Sequence, residues 1–129
     1  MLPPDYVRRP AASSTVAVDR GRLLLLLLEG GQAFLTRARD ALARGDMPTF
    51  VRDLGRTQDV LLQLSRRLDA PDATDVAARL GRLYEFMVGH LALANAERGL
   101  ALVDEVQRAY GPIVDAYREL LTHPAPPTS

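Results

Sequence analysis

The sequence predicts an all-α protein: an antiparallel up-down four-helix bundle with an extended N-terminal arm. Three observations carry this expectation. Apolar residues recur at intervals of three and four along four segments, the spacing that lines one face of a helix. The breaks between segments are two to four residues long and hold Gly, Asp or Pro, and connections that short make consecutive helices antiparallel neighbours. No stretch alternates apolar and polar residues with the period of a strand.

The elements follow in order. Residues 1–18 carry Pro3, Pro4 and Pro10 and then Ser13, Ser14 and Thr15 without a helical period, so they read as the arm. The bundle spans residues 19–122. Its first helix is expected from Asp19 to Arg44, with Leu24, Leu27, Leu28, Gly31, Phe34, Leu35, Ala38, Ala41 and Leu42 facing inward. Gly45 stops it, Asp46 caps the second helix, and Pro48 fits that helix's first turn. The second helix runs to about Leu68 with Phe50, Leu54, Thr57, Leu61, Leu64 and Leu68 on one side. The third starts near Asp72, with Asp75 completing a weak capping box, and its stripe is Val76, Leu80, Leu83, Tyr84, Met87, Leu91 and Asn95. Gly99 ends it or allows a tight turn. The fourth carries Val103, Val106, Tyr110, Ile113, Tyr117 and Leu120, and Pro112 inside it is expected to kink it near Gly111. Residues 123–129 hold three prolines and read as a disordered tail.

Composition narrows the function. A chain of 129 residues has room for one core, and with 47% hydrophobic but 5% aromatic residues that core is built from Leu, Val and Ala. Sixteen basic residues, all Arg, balance sixteen acidic ones, which disfavours nucleic-acid binding, since phosphate recognition draws on a basic excess. There is no Cys, which removes disulfides, thiolate catalysis and Cys-ligated metals together. The run Leu23–Leu28 is far short of the roughly 18 residues that span a bilayer, and no cleavage site follows it. The protein is therefore expected to be mature, cytoplasmic and not inserted in a membrane.

Catalytic and metal readings fail on spacing. Carboxylate-bridged metals in bundles need inward Glu-x-x-His pairs, whereas Glu85 and His90 are five apart and point away from each other. His123 lies in the tail, so no nucleophile, base and acid assemble into a catalytic set. Gly30 and Gly31 sit within a helix and not after a strand, so they cradle no phosphate. No enzyme activity and no cofactor are expected.

What remains is apolar surface. Six consecutive leucines cover the whole circumference of the first helix; Leu25 shares a side with Glu29, Gln32, Thr36 and Arg39, taken as the solvent side, and Leu26 lies on the flank. On the third helix Phe86 and Leu93 align with Arg79, Arg82 and His90, away from the core stripe. Fully burying a Leu or Phe is worth about 1.5–3 kcal/mol, so contiguous exposed ones mark a contact site unless the arm, with Tyr6, Val7, Val16 and Val18, folds over them.

Several blocks resemble the FliS family of flagellar secretion chaperones. They are Arg22 to Gly30 with its leucine run, then Phe34-Leu35, Ala38 and Ala41-Leu42; Gln58-Asp59-Val60 and Leu68-Asp69; Leu80, Leu83-Tyr84, Met87, Leu91 and Ala94-Asn95; and Glu105-Val106 with Asp115-Ala116-Tyr117. Together they cover Tyr6 to Leu121. The chain departs from the family's pattern at Thr15 to Asp19, where a Thr-Ala-Ser-Pro-like start is common. It also departs at Leu28, often aromatic in the family, and at Tyr117, often Trp. The resemblance implies a chaperone whose partner is the disordered C-terminal segment of flagellin. The chaperone wraps that segment in the cytoplasm, blocks premature polymerisation and delivers the subunit to the flagellar export gate. The contact residues expected are Tyr6 and Val16 on the arm, Leu25 and Leu26 on the first helix, and Phe86, Leu93 and Asn95 on the third. Whatever else it does, Asn95 is expected to cap or bridge backbone near a helix end. A monomer or weak homodimer is expected, the alternatives being a homo-oligomeric structural bundle or a regulatory adaptor for another disordered protein.

Overall fold

The computed structural model describes residues 9–68 and 75–122, with side chains from Asp19 onward. Four helices account for nearly all of them: α1 (Arg9–Ala43), α2 (Met47–Arg66), α3 (Asp75–Glu97) and α4 (Leu100–Thr122). Each packs on its neighbours in sequence, and α4 closes the ring against α1. The antiparallel four-helix bundle is thus as expected, and there is no strand among the described residues.

The start of α1 differs. The segment read as an extended arm is helical from Arg9 on, so α1 begins well before Asp19. Pro10 does not prevent this, because a proline in the first helical turn removes no intrahelical hydrogen bond. Pairing of α1 with α4 puts Leu121 against Gly21. At 1.5 Å per residue, the turns before Gly21 therefore run on past the end of α4. Residues 1–8 and 123–129, which include Tyr6 and the expected tail, and the expected helix start at Asp72 lie outside the described residues.

The turn from α1 to α2 follows its sequence signals. Gly45 takes φ +80°, the left-handed conformation that costs an L side chain energy. It lets Gly45 N–H donate to Leu42 O (3.2 Å) and Asp46 N–H to Ala41 O (2.8 Å), so the helix ends in a Schellman motif. The Asp46 carboxylate then accepts from Thr49 N–H at 3.2 Å as the N-cap of α2, with Pro48 in the first turn. Hydrogen bonds from Thr49 hold that carboxyl below its usual range.

The turn from α3 to α4 departs from expectation. Its left-handed residue is Arg98, at φ +54°, and not Gly99, while Gly99 N–H reaches back to Ala94 O at 3.2 Å. The Arg98 guanidinium donates to Asn95 O (2.7 Å) and Asn95 Oδ1 (2.8 Å) and stands 5.6 Å from the centre of the Phe50 ring. These contacts offset the strain of a side chain in a conformation glycine adopts freely.

The core is layered from all four helices: Leu28, Leu35, Ala38 and Ala41; Phe50, Leu54, Leu61 and Leu64; Tyr84, Met87, Leu91 and Ala94; Val103, Val106, Tyr110 and Val114. At its centre Gly31 faces Tyr110, whose hydroxyl donates to Leu28 O at 2.8 Å. A Cβ at Gly31 would collide with that hydroxyl and stand 2.9 Å from Val60 Cγ1, so glycine here permits close approach of α4 and α2 to α1. Burial pushes the phenols of Tyr84 and Tyr110 well above their ordinary pKa.

Candidate functional site

Where α3 begins and α4 finishes, the inward stripes of both helices continue but nothing described lies across them. Val76, Leu80 and Leu83 from α3 face Ala109, Pro112, Ile113, Ala116, Tyr117 and Leu120 from α4 around an open groove of about 350 Å³. Every one of these side chains is apolar except for the Tyr117 hydroxyl. Val76 is 65% exposed and Leu120 59%, so the sequence assigned both to the core and the structure places both on the groove's lip. Their spacing is that of core residues; what differs is that the bundle ends around them. Pro112 contributes its ring to the same wall while α4 continues through it to Thr122.

The apolar surface continues up the α3–α4 seam. Phe86 and Leu93 are each about half exposed, as their position off the core stripe predicts. Between them His90 Nε2 lies 2.9 Å from Glu105 on α4, and the Phe86 ring packs on the imidazole with centroids 4.1 Å apart. The sequence paired His90 with Glu85 and found nothing. The true partner is fifteen residues on, where the antiparallel turn folds α4 back alongside.

The other expected contact residues fare differently. Leu26 is 66% exposed on α1, joined by Leu23. Leu25 is not on the solvent side: it is partly buried and packed against the core. Its neighbours on that side reach α4 through Glu29 to Arg118 (2.8 Å), Thr36 to Gln107 (3.4 Å) and Arg39 to Asp104 (3.0 Å). A row of polar residues at helical spacing is here an interhelical seam, and Leu25 belongs to it. Only the backbone of Val16 is described, within α1, and Tyr6 lies outside the described residues.

Asn95 was assigned to the α3 core stripe, but it is exposed and engaged with Arg98 at the α3–α4 turn, while Ala94 takes the buried place. Asn95→Ala removes one acceptor from the guanidinium that stabilises the left-handed Arg98. The expected result is a loss of roughly 0.5–1 kcal/mol, the worth of one solvent-accessible hydrogen bond to a charged group, read as a melting-point drop of a few degrees. A change in partner affinity with no change in melting would instead make Asn95 a contact residue.

Sequence reasoning also missed Asp53, which is fully buried on α2. It falls three residues after Phe50 and four before Thr57, on the face called apolar, so a carboxylate in the stripe was the available signal. Among the described residues no group of His, Cys, Asp and Glu could hold a metal ion, and no helix is long and apolar enough to cross a membrane.

A four-helix bundle with an open apolar groove between two of its helices has the concave, mostly apolar surface of a binding protein. Comparison with known proteins gives the particular class. The profile of the flagellar protein FliS family matches residues 5–124, and the chain belongs to that family. It is 35% identical over 85 residues to flagellar secretion chaperone FliSB of Pseudomonas aeruginosa, covering 66% of this chain and 68% of that protein. It is 25% identical over 115 residues to flagellar secretion chaperone FliS of Vibrio cholerae, covering 89% and 85%. It is 30% identical over 99 residues to the protein of that name from Campylobacter jejuni, covering 77% of each.

Proposed function

We propose that this protein is a cytoplasmic, non-enzymatic export chaperone that binds the disordered C-terminal segment of flagellin, keeps it from polymerising, and aids its delivery to the flagellar export gate. The observation that carries the reading is the apolar α3–α4 groove, extended along the seam by Phe86 and Leu93. A disordered segment that folds on binding needs apolar surface spread along helices, and ordering it costs about 2–5 kcal/mol of the gross contact energy. Long grooves between helices supply that surface without any catalytic group. Leu23 and Leu26 on α1 offer a second apolar stretch for a wrapping segment. The residues before Asp19, with Tyr6 and Val16 among them, act in this reading as a removable cover.

The test is calorimetric titration of the full chain with a peptide from the C-terminal end of its own organism's flagellin, beside a variant lacking residues 1–18. Saturable one-to-one binding with a negative heat-capacity change is expected, and tighter binding by the shortened variant identifies the cover. A folded, helical protein that gives no heat at micromolar concentrations overturns the flagellin assignment.

A further inference from the structure

On the side of the bundle away from the groove, three arginines of the α1–α2 hairpin converge on one buried carboxylate. Arg52 Nε lies 3.4 Å and Arg56 Nη1 3.8 Å from Asp53 Oδ1, and Arg37 Nε lies 3.7 Å from Oδ2. The Asp53 side chain has no exposure, and its Oδ2 makes no hydrogen bond among the described residues. All three arginine side chains are more than half exposed. Arg37 and Arg56 also stand 5.0 and 5.5 Å from the centre of the Phe34 ring, which holds both cations beside one aromatic face.

One carboxylate cancels one of three cations and occupies few of the fifteen or so N–H donors that three guanidiniums present. The surplus is not local accident. Helices α1 and α2 together carry eight arginines against five carboxylates, net +3, whereas α3 and α4 carry four against seven, net −3. A neutral chain is thus split into a positive hairpin and a negative one, and such a field steers acidic groups toward the arginine side.

We propose that the α1–α2 face is a second docking surface, one for a carboxylate-rich segment of a partner protein, which bridges Arg37 and Arg56 beside Phe34. Planar guanidiniums bind carboxylates through paired N–H donors, and this set is already arranged around one. Nucleic acid is the poorer fit, because duplex binders gather about six to ten phosphate contacts and this patch has three cations with an acid at their centre. In the reading proposed above, cargo seated in the α3–α4 groove and on Leu23 and Leu26 leaves Arg37, about three turns further along α1, open to a second, acidic partner.

The experiment is fluorescence anisotropy of a labelled oligo-glutamate peptide titrated with the full chain. Binding is expected to weaken several-fold between about 50 and 300 mM salt, as solvent-exposed charge pairs do. Arg37→Gln with Arg56→Gln should weaken it roughly tenfold or more at the lower salt, while Arg79→Gln with Arg82→Gln on α3 leaves it unchanged. Should removing both guanidiniums unfold the bundle by stranding the Asp53 charge, the pair is remade with Asp53→Asn, which removes that charge too. Equal affinity in the folded Arg37 and Arg56 variant, absence of binding by the unmodified chain, or tighter binding of an oligothymidylate than of the peptide would each overturn the proposal.

Discussion

Gly31→Ala will destabilise the bundle, although alanine is the better helix former. Replacing glycine in a helix interior gains about 1 kcal/mol from propensity alone. Against this stands a Cβ that overlaps the Tyr110 hydroxyl and sits 2.9 Å from Val60 Cγ1 and 3.2 Å from Tyr110 Cζ. Neither neighbour can yield freely: Tyr110 is 1% exposed and pinned to Leu28 O, and Val60 lies in the same core. Overpacking of this kind costs about 1–3 kcal/mol, and withdrawing the hydroxyl sacrifices a buried hydrogen bond worth about 1 more. The clash therefore exceeds the propensity gain, and a net loss of about 2 kcal/mol is expected, a fall of roughly 8 °C in melting temperature for a chain this size. Tyr110→Phe alone costs about 1 kcal/mol, since it removes a hydrogen bond and leaves Leu28 O its helical partner. Combined with Gly31→Ala it also removes the atom in conflict, so the double variant should be at least ~1 kcal/mol more stable than the two losses added. Strict additivity in thermal or denaturant unfolding would show that the two residues do not meet as described.

That seat was legible only in part. The sequence placed Gly31 on the inward stripe and Tyr110 on its own stripe, but a stripe gives a direction and not a depth, so their contact was invisible. Local signals carried furthest where they act within a few residues. Gly45, Asp46 and Pro48 stop one helix and start the next by backbone conformation and capping, and both events occur as expected. Long-range partners were the failures. Polar residues at Glu29, Thr36 and Arg39 looked like a solvated face because their partners lie 65 to 89 residues away on α4. Leu25 was misplaced with them.

The candidate site failed in the other direction. Val76 and Leu120 have core spacing, and periodicity cannot say where a bundle ends, so groove residues read as core. Exposed Phe86, Leu93 and Leu26 were found because they fall off their stripes. The helical run from Arg9 went unread because Pro10 and the Ser-Thr cluster count against a helix interior and are tolerated at its first turn or by context.

Ala116→Glu should abolish binding of the flagellin segment without harming the bundle. Ala116 is exposed and lines the groove between Pro112 and Leu120. Glutamate is a good helix former, so on the free protein the change costs only a few tenths of a kcal/mol and the melting temperature stays within about 2 °C. The bound state is different. A segment seated against Leu80, Leu83 and Ile113 would strip water from the new carboxylate in an environment where the Tyr117 hydroxyl is the one donor that the lining side chains carry. Burying an uncompensated charge costs several kcal/mol even after relaxation, and about 2.8 kcal/mol already corresponds to a hundredfold. A loss of at least roughly a hundredfold in the calorimetric titration is therefore expected. Arg108→Gln, on an exposed site of the same helix outside the groove lining, should bind as the unmodified chain does. Undiminished binding by a folded Ala116→Glu protein would move the flagellin contact off this groove and onto the leucine face of α1, where Leu26→Glu would then have to show the loss.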